Sequence, residues 1–448
     1  MSIEELNGKT VCILGFGREG RAMLDAIERE RIDCRVTVAD QNEECKTQHA
    51  TCNMQVGKEW LDDLDRFDVI IKSPGIPPNT ALTTHHSKLT NSTQIFLDTI
   101  LARGALVIGV TGSKGKSTTS SLIHAILQAH EREQHPTTHH LQPTTFLVGN
   151  IGEPSIAHID EANPHTIFVL EMSSYQLMDL TTSPPIAVIT SFFPEHLDYH
   201  GGLEAYRDAK EHISRFQDDE DMVFFCADSP GAVAIAQEGD GRKIPFSGTD
   251  APVPIEQTHL IGAHNLRNIG AATLVARELG IPDSTIVTAI KEFHGLPHRL
   301  QRIGVIGGIE WIDDAISTTP ESTIAGLDAL DDRVTTIILG GQDRGYDFTA
   351  LAKRLATSSV RTAILFPGSG PRIRAAIEQQ KAEIRLFDAP SMEEAVFIAK
   401  RETNNEQRRT HARAPIVLLS TASPSYGMFK NFEEKGDAFQ KCVRGVTE

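Results

Sequence analysis

The sequence predicts an α/β protein built on parallel, doubly wound sheets. Three observations predict it. Short apolar runs alternate with stretches of helical periodicity along most of the chain. Two glycine-rich turns, GFGREG at 15–20 and GSKGKS at 112–117, each follow an apolar run and precede a helical pattern. At 448 residues the chain exceeds one ordinary core, so two or three domains are expected.

The first block starts with the strand TVCILG (10–15), the turn GFGREG and a helix running to Arg31. A second strand, CRVTVAD, ends at Asp40, and a third, DVIIKSPG, ends in a turn at Pro74 and Gly75. G-x-G-x-x-G followed about 20 residues later by an acidic residue is a dinucleotide-type fingerprint. It has two readings here. The turn holds something phosphorylated, or its glycines only allow close helix–strand packing.

The second block carries the most informative stretch, GVTGSKGKST at 109–118, between the apolar run 105–110 and the helical pattern TTSSLIHAILQAH. Backbone N–H groups and a helix N-terminus face an anion in such a turn. Lys116 adds a point charge, and the Ser117 hydroxyl suits Mg²⁺. This is a P-loop-type element and implies ATP or GTP, although Val110 stands where the first glycine of the pattern is expected. The strands TIFVLEMSS, PIAVITSFF and MVFFCA follow. The stretch HEREQHPTTHHLQPTT (130–145) is polar and contains proline. It reads as a solvated loop, with His135, His139 and His140 on it, rather than as a metal site.

The third block opens with a hairpin, RIGVIGGIEWIDD, turning at Gly307 and Gly308. Strands VTTIILGG, TAILFPGSG and APIVLLST follow, with helices between.

Composition excludes several classes. A net charge of −17 repels a phosphate backbone, so no nucleic-acid partner is expected. The six cysteines form no C-x-x-C pair, as in free thiols of a reducing cytosol. The polar, acidic N-terminus is no signal peptide, and no apolar run reaches membrane-spanning length. A cytoplasmic protein without membrane insertion is expected.

Polar residues gather at strand ends of the middle block, where a parallel sheet forms its ligand crevice. Glu171 ends one strand, and His196 and Asp198 follow the next in PEHLD. Lys210 lies further on in the helical pattern LEAYRDAKEHI, and spacing alone makes it a solvated helix lysine. GAHNLRNIGAA puts His264, Asn265 and Asn268 at a helix start, with Asn265 as a possible cap. LPHRLQ places Arg299 at the boundary with the third block, where a hinge arginine can reach an ATP phosphate.

In order, GVTGSKGKST, GNIG, EMSSYQL, EHLDYH, Lys210, GAHNLRN, LPHRL, GGQDRGYDF and LLSTASPSYGMFKNFEEKG resemble the motifs of the Mur ligase family across essentially the whole chain. The GFGREG block and the SPSYGMFKNF segment look most like the glutamate-adding members. The resemblance implies three domains: a Rossmann-like UDP-sugar-binding domain (1–102), a P-loop-type ATPase domain (103–299) and a Rossmann-like amino-acid-binding domain (300–448). It implies ATP and Mg²⁺ as cofactors, UDP-N-acetylmuramoyl-L-alanine and glutamate as substrates, and a monomer. D-glutamate is the default enantiomer, with an L-glutamate-adding ligase as the alternative. A folylpolyglutamate synthase-like ligase is a second alternative, against which the GFGREG block argues. A nucleotide-dependent binding module would explain Lys116 but not Glu171, His196, Lys210 and the third block together.

By the same resemblance Gly112, Lys114, Gly115, Lys116, Ser117 and Thr118 form the phosphate loop. Ser117, Glu171, His196 and a carbamylated Lys210 hold Mg²⁺, and Lys116, Glu171, His196 and Lys210 carry catalysis. Asn265 and Asn268 serve the adenine, Arg299 a phosphate and Asp314 the ribose. Gly17, Asp40, Ser73 and Gly75 fall where the UDP moiety is held. Asn150, Ser173 and Gln176 lie near the muramoyl chain, and Thr318, Arg344, Ser425 and Phe432 form the amino-acid pocket. The mechanism implied is an acyl phosphate formed from the acceptor carboxylate, then displaced by the glutamate amine.

Four residues depart from the family pattern. Lys114 and Ser191 stand where asparagine is frequent, and Ile316 replaces a lysine in DAISTT. Glu19 occupies a turn position where a small or hydroxylic residue suits a pyrophosphate better.

Overall fold

In the computed structural model, residues 1–47, 52–77, 88–134, 144–330, 332–410 and 415–445 are described. They form three sheets. The first contains β1 (Thr10–Leu14), β2 (Arg35–Asp40), β3 (Asn53–Val56), β4 (Val69–Lys72) and β5 (Leu89–Thr90) in the order β3-β2-β1-β4-β5. The second contains β6 (Leu106–Thr111), β7 (Thr145–Gly149), β8 (Ile167–Glu171), β9 (Ile186–Ile189), β10 (Met222–Cys226) and β11 (Arg242–Phe246), ordered β11-β10-β9-β6-β8-β7. All pairings in these two sheets are parallel.

The third sheet contains β12 (Gln301–Ile306), β13 (Ile309–Asp313), β14 (Val334–Gly341), β15 (Thr362–Gly368), β16 (Arg385–Asp388) and β17 (Ile416–Leu419), ordered β12-β13-β17-β14-β15-β16. Only the β12–β13 hairpin is antiparallel, as its Gly307–Gly308 turn requires. The fold is thus α/β, with two parallel sheets and a third that is parallel except for its edge hairpin.

The chain packs into two compact units. Met1–Pro254 with His264–Ile290 carries the first two sheets, and Ile255–Ala263 with Lys291–Glu448 carries the third. Each has its own core. β6 buries Val107, Ile108 and Val110, and the helix Lys116–Gln134 lays Leu122, Ile123, Ile126 and Leu127 on the sheet at helical spacing. In the second unit the helix Phe432–Gly445 buries Lys435, Phe439 and Val443, four residues apart, against the strand that carries Trp311.

The structure corrects the reading of 130–145. Residues 130–134 extend the helix Lys116–Gln134, because HEREQ contains no breaker, and Thr145 opens β7. His135, His139 and His140 lie outside the described residues. Among the described residues no helix is long and apolar enough to cross a membrane.

Candidate active site

β6 ends at Thr111, and the chain turns through Gly112–Gly115 into the helix at Lys116. Gly112 has φ +148°, and a Cβ there would stand 2.1 Å from Thr190 Oγ1, so only glycine fits. The loop is held from β9's end. Thr190 Oγ1 donates to Thr111 O (3.1 Å) and Lys114 O (2.7 Å). Ser191 Oγ accepts from Lys114 N (2.9 Å) and donates to Lys114 O (2.8 Å). The Ser191 departure therefore leaves a hydroxyl that satisfies both backbone groups of Lys114. The Lys114 side chain is 75% exposed and pairs with Glu195 at 2.7 Å.

Lys116 Nζ donates to Gly112 O (2.8 Å) and Ser113 O (3.1 Å), which places its ammonium over the phosphate loop. Ser117 and Thr118 follow on the first helical turn. Asn268 Oδ1 accepts from Thr119 Oγ1 at 3.3 Å, and Asn268 Nδ2 donates to Asn265 Oδ1 at 2.8 Å. The structure thus brings both buried asparagines to the phosphate-loop helix. Asn265 is not the cap: it is the first residue of the helix Asn265–Glu278, and His264 occupies the cap position.

Lys210 corrects the spacing argument. It lies on the buried face of the helix Leu203–Glu211 and is 1% exposed. Its Nζ donates to Thr111 Oγ1 (3.2 Å) and Gly112 O (3.1 Å) and sits 5.2 Å from the centre of the Tyr206 ring. Among the described residues no carboxylate forms an ion pair with it. Burial pushes its ammonium well below the usual lysine range, and Lys116 adds repulsion, against the opposing charges of Glu195 and Glu171. An unpaired buried lysine is costly, and such groups cluster at functional sites.

Glu171, at the end of β8, is 1% exposed. Its Oε1 accepts from Asn150 Nδ2 at 2.7 Å, while Oε2 is buried without a hydrogen-bond partner. His196 has φ 55° at the start of the short helix Leu197–His200. Partial burial holds its imidazole below the usual range; Glu195 opposes this, and Lys116, Lys210 and Lys114 reinforce it. His196 is then neutral at pH 7, the ligating form. Among the described residues no three His, Cys, Asp or Glu side chains gather as a metal cage. The orphaned Glu171 oxygen beside a phosphate loop nevertheless fits Mg²⁺, which takes one or two carboxylates plus substrate phosphates.

On the first sheet, Asp40 Oδ2 accepts from Phe16 N (2.6 Å), and Ser73 Oγ donates to Gly15 O (2.9 Å). Both therefore brace the GFGREG turn, with Gly17 at its exposed crest and Gly75 open to solvent. Gly20 does serve packing, since a Cβ there would lie 2.0 Å from Gly15 O. Ser173 caps the helix Ser174–Leu177 with Gln176 as its reciprocal partner.

In the second unit, Asp314 is buried and its carboxyl is pushed up to about 6 by burial, against hydrogen bonds that include one from Ser420. Leu300 N donates to its Oδ1 (3.2 Å), and the charge of the exposed Arg299 acts on it. Arg344 is exposed and its guanidinium lies 5.7 Å from the centre of the Tyr426 ring. Ser425 is 4% exposed, with a hydroxyl that lacks a hydrogen-bond partner. Thr318 and Ile316 are half-buried, and the Phe432 ring meets His298 edge-on.

Sequence reasoning missed Lys435. It is 1% exposed, donates to Thr421 Oγ1 at 2.6 Å, and burial pushes its ammonium down to about 8. The spacing of Lys435, Phe439 and Val443 was the available signal.

His298 is also structural. Its Nδ1 lies 2.7 Å from Asp313 Oδ2, and this hydrogen bond raises its pKa above 6.5. We expect His298→Ala to cost about 3 kcal/mol, because it leaves the buried Asp313 carboxylate with neutral donors only, Gln440 Nε2 at 3.0 Å and Ala315 N at 3.0 Å. A raised pKa means that the contribution is fully present below the unfolded value near 6.5 and is lost as pH rises through the folded value. Urea unfolding across that window checks both statements: a pH-independent midpoint would contradict them.

The comparisons with known proteins agree with this geometry. Residues 110–252 match the Mur ligase middle domain, and residues 298–419 match the Mur ligase, glutamate ligase domain. The chain is 35% identical to a UDP-N-acetylmuramoyl-L-alanine--L-glutamate ligase of Salinispora tropica, covering all of both chains. It is 32% identical to a UDP-N-acetylmuramoylalanine--D-glutamate ligase of Symbiobacterium thermophilum, covering 87% of each. Its fold resembles the crystal structure of the UDP-N-acetylmuramate-alanine ligase of Thermotoga maritima, with a TM-score of 0.55 at 16% identity, over 98% of this chain and 100% of that one. From phosphate loop to third sheet, the chain belongs to the Mur ligase family.

Proposed function

We propose that this chain joins glutamate to UDP-N-acetylmuramoyl-L-alanine at the expense of ATP, in peptidoglycan precursor synthesis. The observation that carries the reading is the convergence of Lys116, Lys210, Glu171 and His196 on one phosphate loop. The identity to named glutamate-adding ligases over the full chain supports the substrates. The protein acts as a cytoplasmic monomer with three functional domains, 1–102, 103–299 and 300–448.

The acceptor carboxylate attacks the γ-phosphorus of ATP, giving an acyl phosphate and ADP. The glutamate amine then attacks the acyl carbon, and phosphate leaves. Lys116 and Arg299 offset charge on the transferring phosphoryl group. Ser117, Glu171, His196 and Lys210 would hold Mg²⁺, which offsets phosphate charge when bound. Lys210 meets that role as a carbamate: burial favours its neutral amine, the form that takes up CO₂, and the product is an anionic oxygen donor. Lys114, Gly112, Gly115 and Thr118 complete the phosphate site, and Asn265, Asn268 and Asp314 hold the nucleoside. Gly17, Asp40, Ser73 and Gly75 hold the UDP moiety, and Asn150, Ser173 and Gln176 the muramoyl end.

In the amino-acid pocket Arg344 is the cation, with Thr318, Ser425 and Phe432 beside it. The orphaned Ser425 hydroxyl supports this placement. Because Arg344 is exposed, we expect Arg344→Ala to raise the glutamate KM roughly tenfold and the ATP KM little. An unchanged glutamate KM would move the pocket elsewhere.

Two readings of the enantiomer stand. The motif resemblance makes D-glutamate the default; the full-length similarity to an L-glutamate ligase favours L-glutamate. Phosphate release measured with the acceptor and each enantiomer in turn separates them. Release with neither enantiomer would overturn the proposed function.

A further inference from the structure

Glu19 is the departure that the substrate sites do not absorb. It lies on the first turn of the helix Arg18–Arg29, at the GFGREG turn, yet its carboxylate is engaged by Ser92 and Gln176, far along the chain. Ser92 Oγ donates to Oε2 at 2.7 Å, and Gln176 Nε2 approaches Oε1 at 3.5 Å, a long hydrogen bond.

The Gln176 amide cannot turn over freely. Its Oε1 accepts from Ser173 N at 3.0 Å and from Ser173 Oγ at 2.9 Å. A backbone N–H only donates, so Oε1 must face Ser173 and Nε2 must face Glu19. Glu19 thus supplies the acceptor that completes the amide's orientation. The same helix makes a second, independent bridge. Arg18 donates to Gly152 O, in the GNIG turn, and Asn150 of that turn donates to Glu171 Oε1 at 2.7 Å. Ser92 opens the helix Ser92–Ala102, whose cap Asn91 donates to Gln176 O at 3.2 Å. Burial raises the Glu19 pKa, while the hydrogen bonds from Ser92 and Gln176 and the charge of Arg18 oppose that shift.

We infer that Glu19 is a positioning residue for the ligation: it fixes the Gln176 amide, and with it the Ser173–Gln176 cap beside Glu171, from the turn that receives the nucleotide sugar. This rests on the ligase reading above. The side chain touches no reacting atom; it acts through Gln176.

The test is a pair of reciprocal substitutions in the full chain. Glu19→Lys keeps the reach to Ser92, whose hydroxyl can accept from it, but offers the Gln176 NH₂ only donors. Gln176→Glu sets one carboxylate against another. In Glu19→Lys with Gln176→Glu, ammonium faces carboxylate and every donor again has an acceptor. Phosphate release is measured with UDP-N-acetylmuramoyl-L-alanine and glutamate. Each single variant should lower kcat/KM for the acceptor about tenfold and move the ATP KM less than about twofold. The double variant should exceed the product of the single losses at least about fivefold.

Additive losses, or a Glu19→Lys enzyme with normal acceptor kcat/KM, would overturn the inference. A Glu19→Lys protein that fails to fold leaves the decision to the double variant, which must fold and ligate. If the unaltered chain releases no phosphate that depends on acceptor and glutamate, the ligase reading fails instead, before any variant is compared.

Discussion

Lys210→Ala is expected to leave almost no ligation, at least a thousandfold below the unaltered enzyme, or about 4 kcal/mol of transition-state stabilisation. Among the described residues the lysine is buried without a carboxylate partner, with its nitrogen 3.1 Å from Gly112 O of the phosphate loop. As a carbamate it would add a second buried anion to the one that Glu171 supplies. Short carboxylic acids should therefore restore part of the activity of Lys210→Ala by occupying the emptied position. Full activity in a rigorously CO₂-free preparation would remove the carbamate from the account. A variant that folds but gains nothing from added formate or acetate would weaken it in the same direction.

Lys116→Ala should cost at least a hundredfold in turnover, on the order of 3 kcal/mol. Lys114 cannot replace it, since its ammonium is spent on Glu195 at the exposed rim. Lys116 instead folds over Gly112 O and Ser113 O. In the enzyme's working state those weak carbonyl contacts would be exchanged for phosphate oxygens. The loss should fall on kcat more than on the ATP KM, because charge on the phosphoryl group grows toward the transition state. Near-normal turnover in a folded variant would take the phosphate loop out of the mechanism.

Local motifs were legible because their physics is local. GSKGKS between an apolar run and a helical pattern can only be a strand, a tight turn and a helix start, and it is. The hairpin at Gly307–Gly308 was equally self-contained. What escaped was set at a distance. β3, β11 and β16 sit at sheet edges, largely half-exposed, and Pro245 interrupts β11, so they lack a clear apolar pattern. β5 is only two residues long. Lys210 looked solvated because its sequence neighbours are polar; only the packing of Tyr206 and Ala209 shows which face of the helix is buried. Glu19 looked misplaced for the same reason, since its partners Ser92 and Gln176 lie 73 and 157 residues away. The roles proposed for Asn150, Arg344 and Ser425 rest on the family resemblance, since no spacing rule assigns them.

The acyl-phosphate step is the centre of this account, and the fate of one oxygen tests it most directly. The acceptor is prepared with heavy oxygen in its alanyl carboxylate and incubated with ATP and glutamate. If the carboxylate attacks the γ-phosphorus, a bridging label must leave with the phosphate when the amine displaces it. Inorganic phosphate should therefore carry one labelled oxygen for each peptide bond formed. Unlabelled phosphate, with both heavy oxygens kept on the acceptor, would mean that water hydrolyses ATP here and that the carboxylate is never activated.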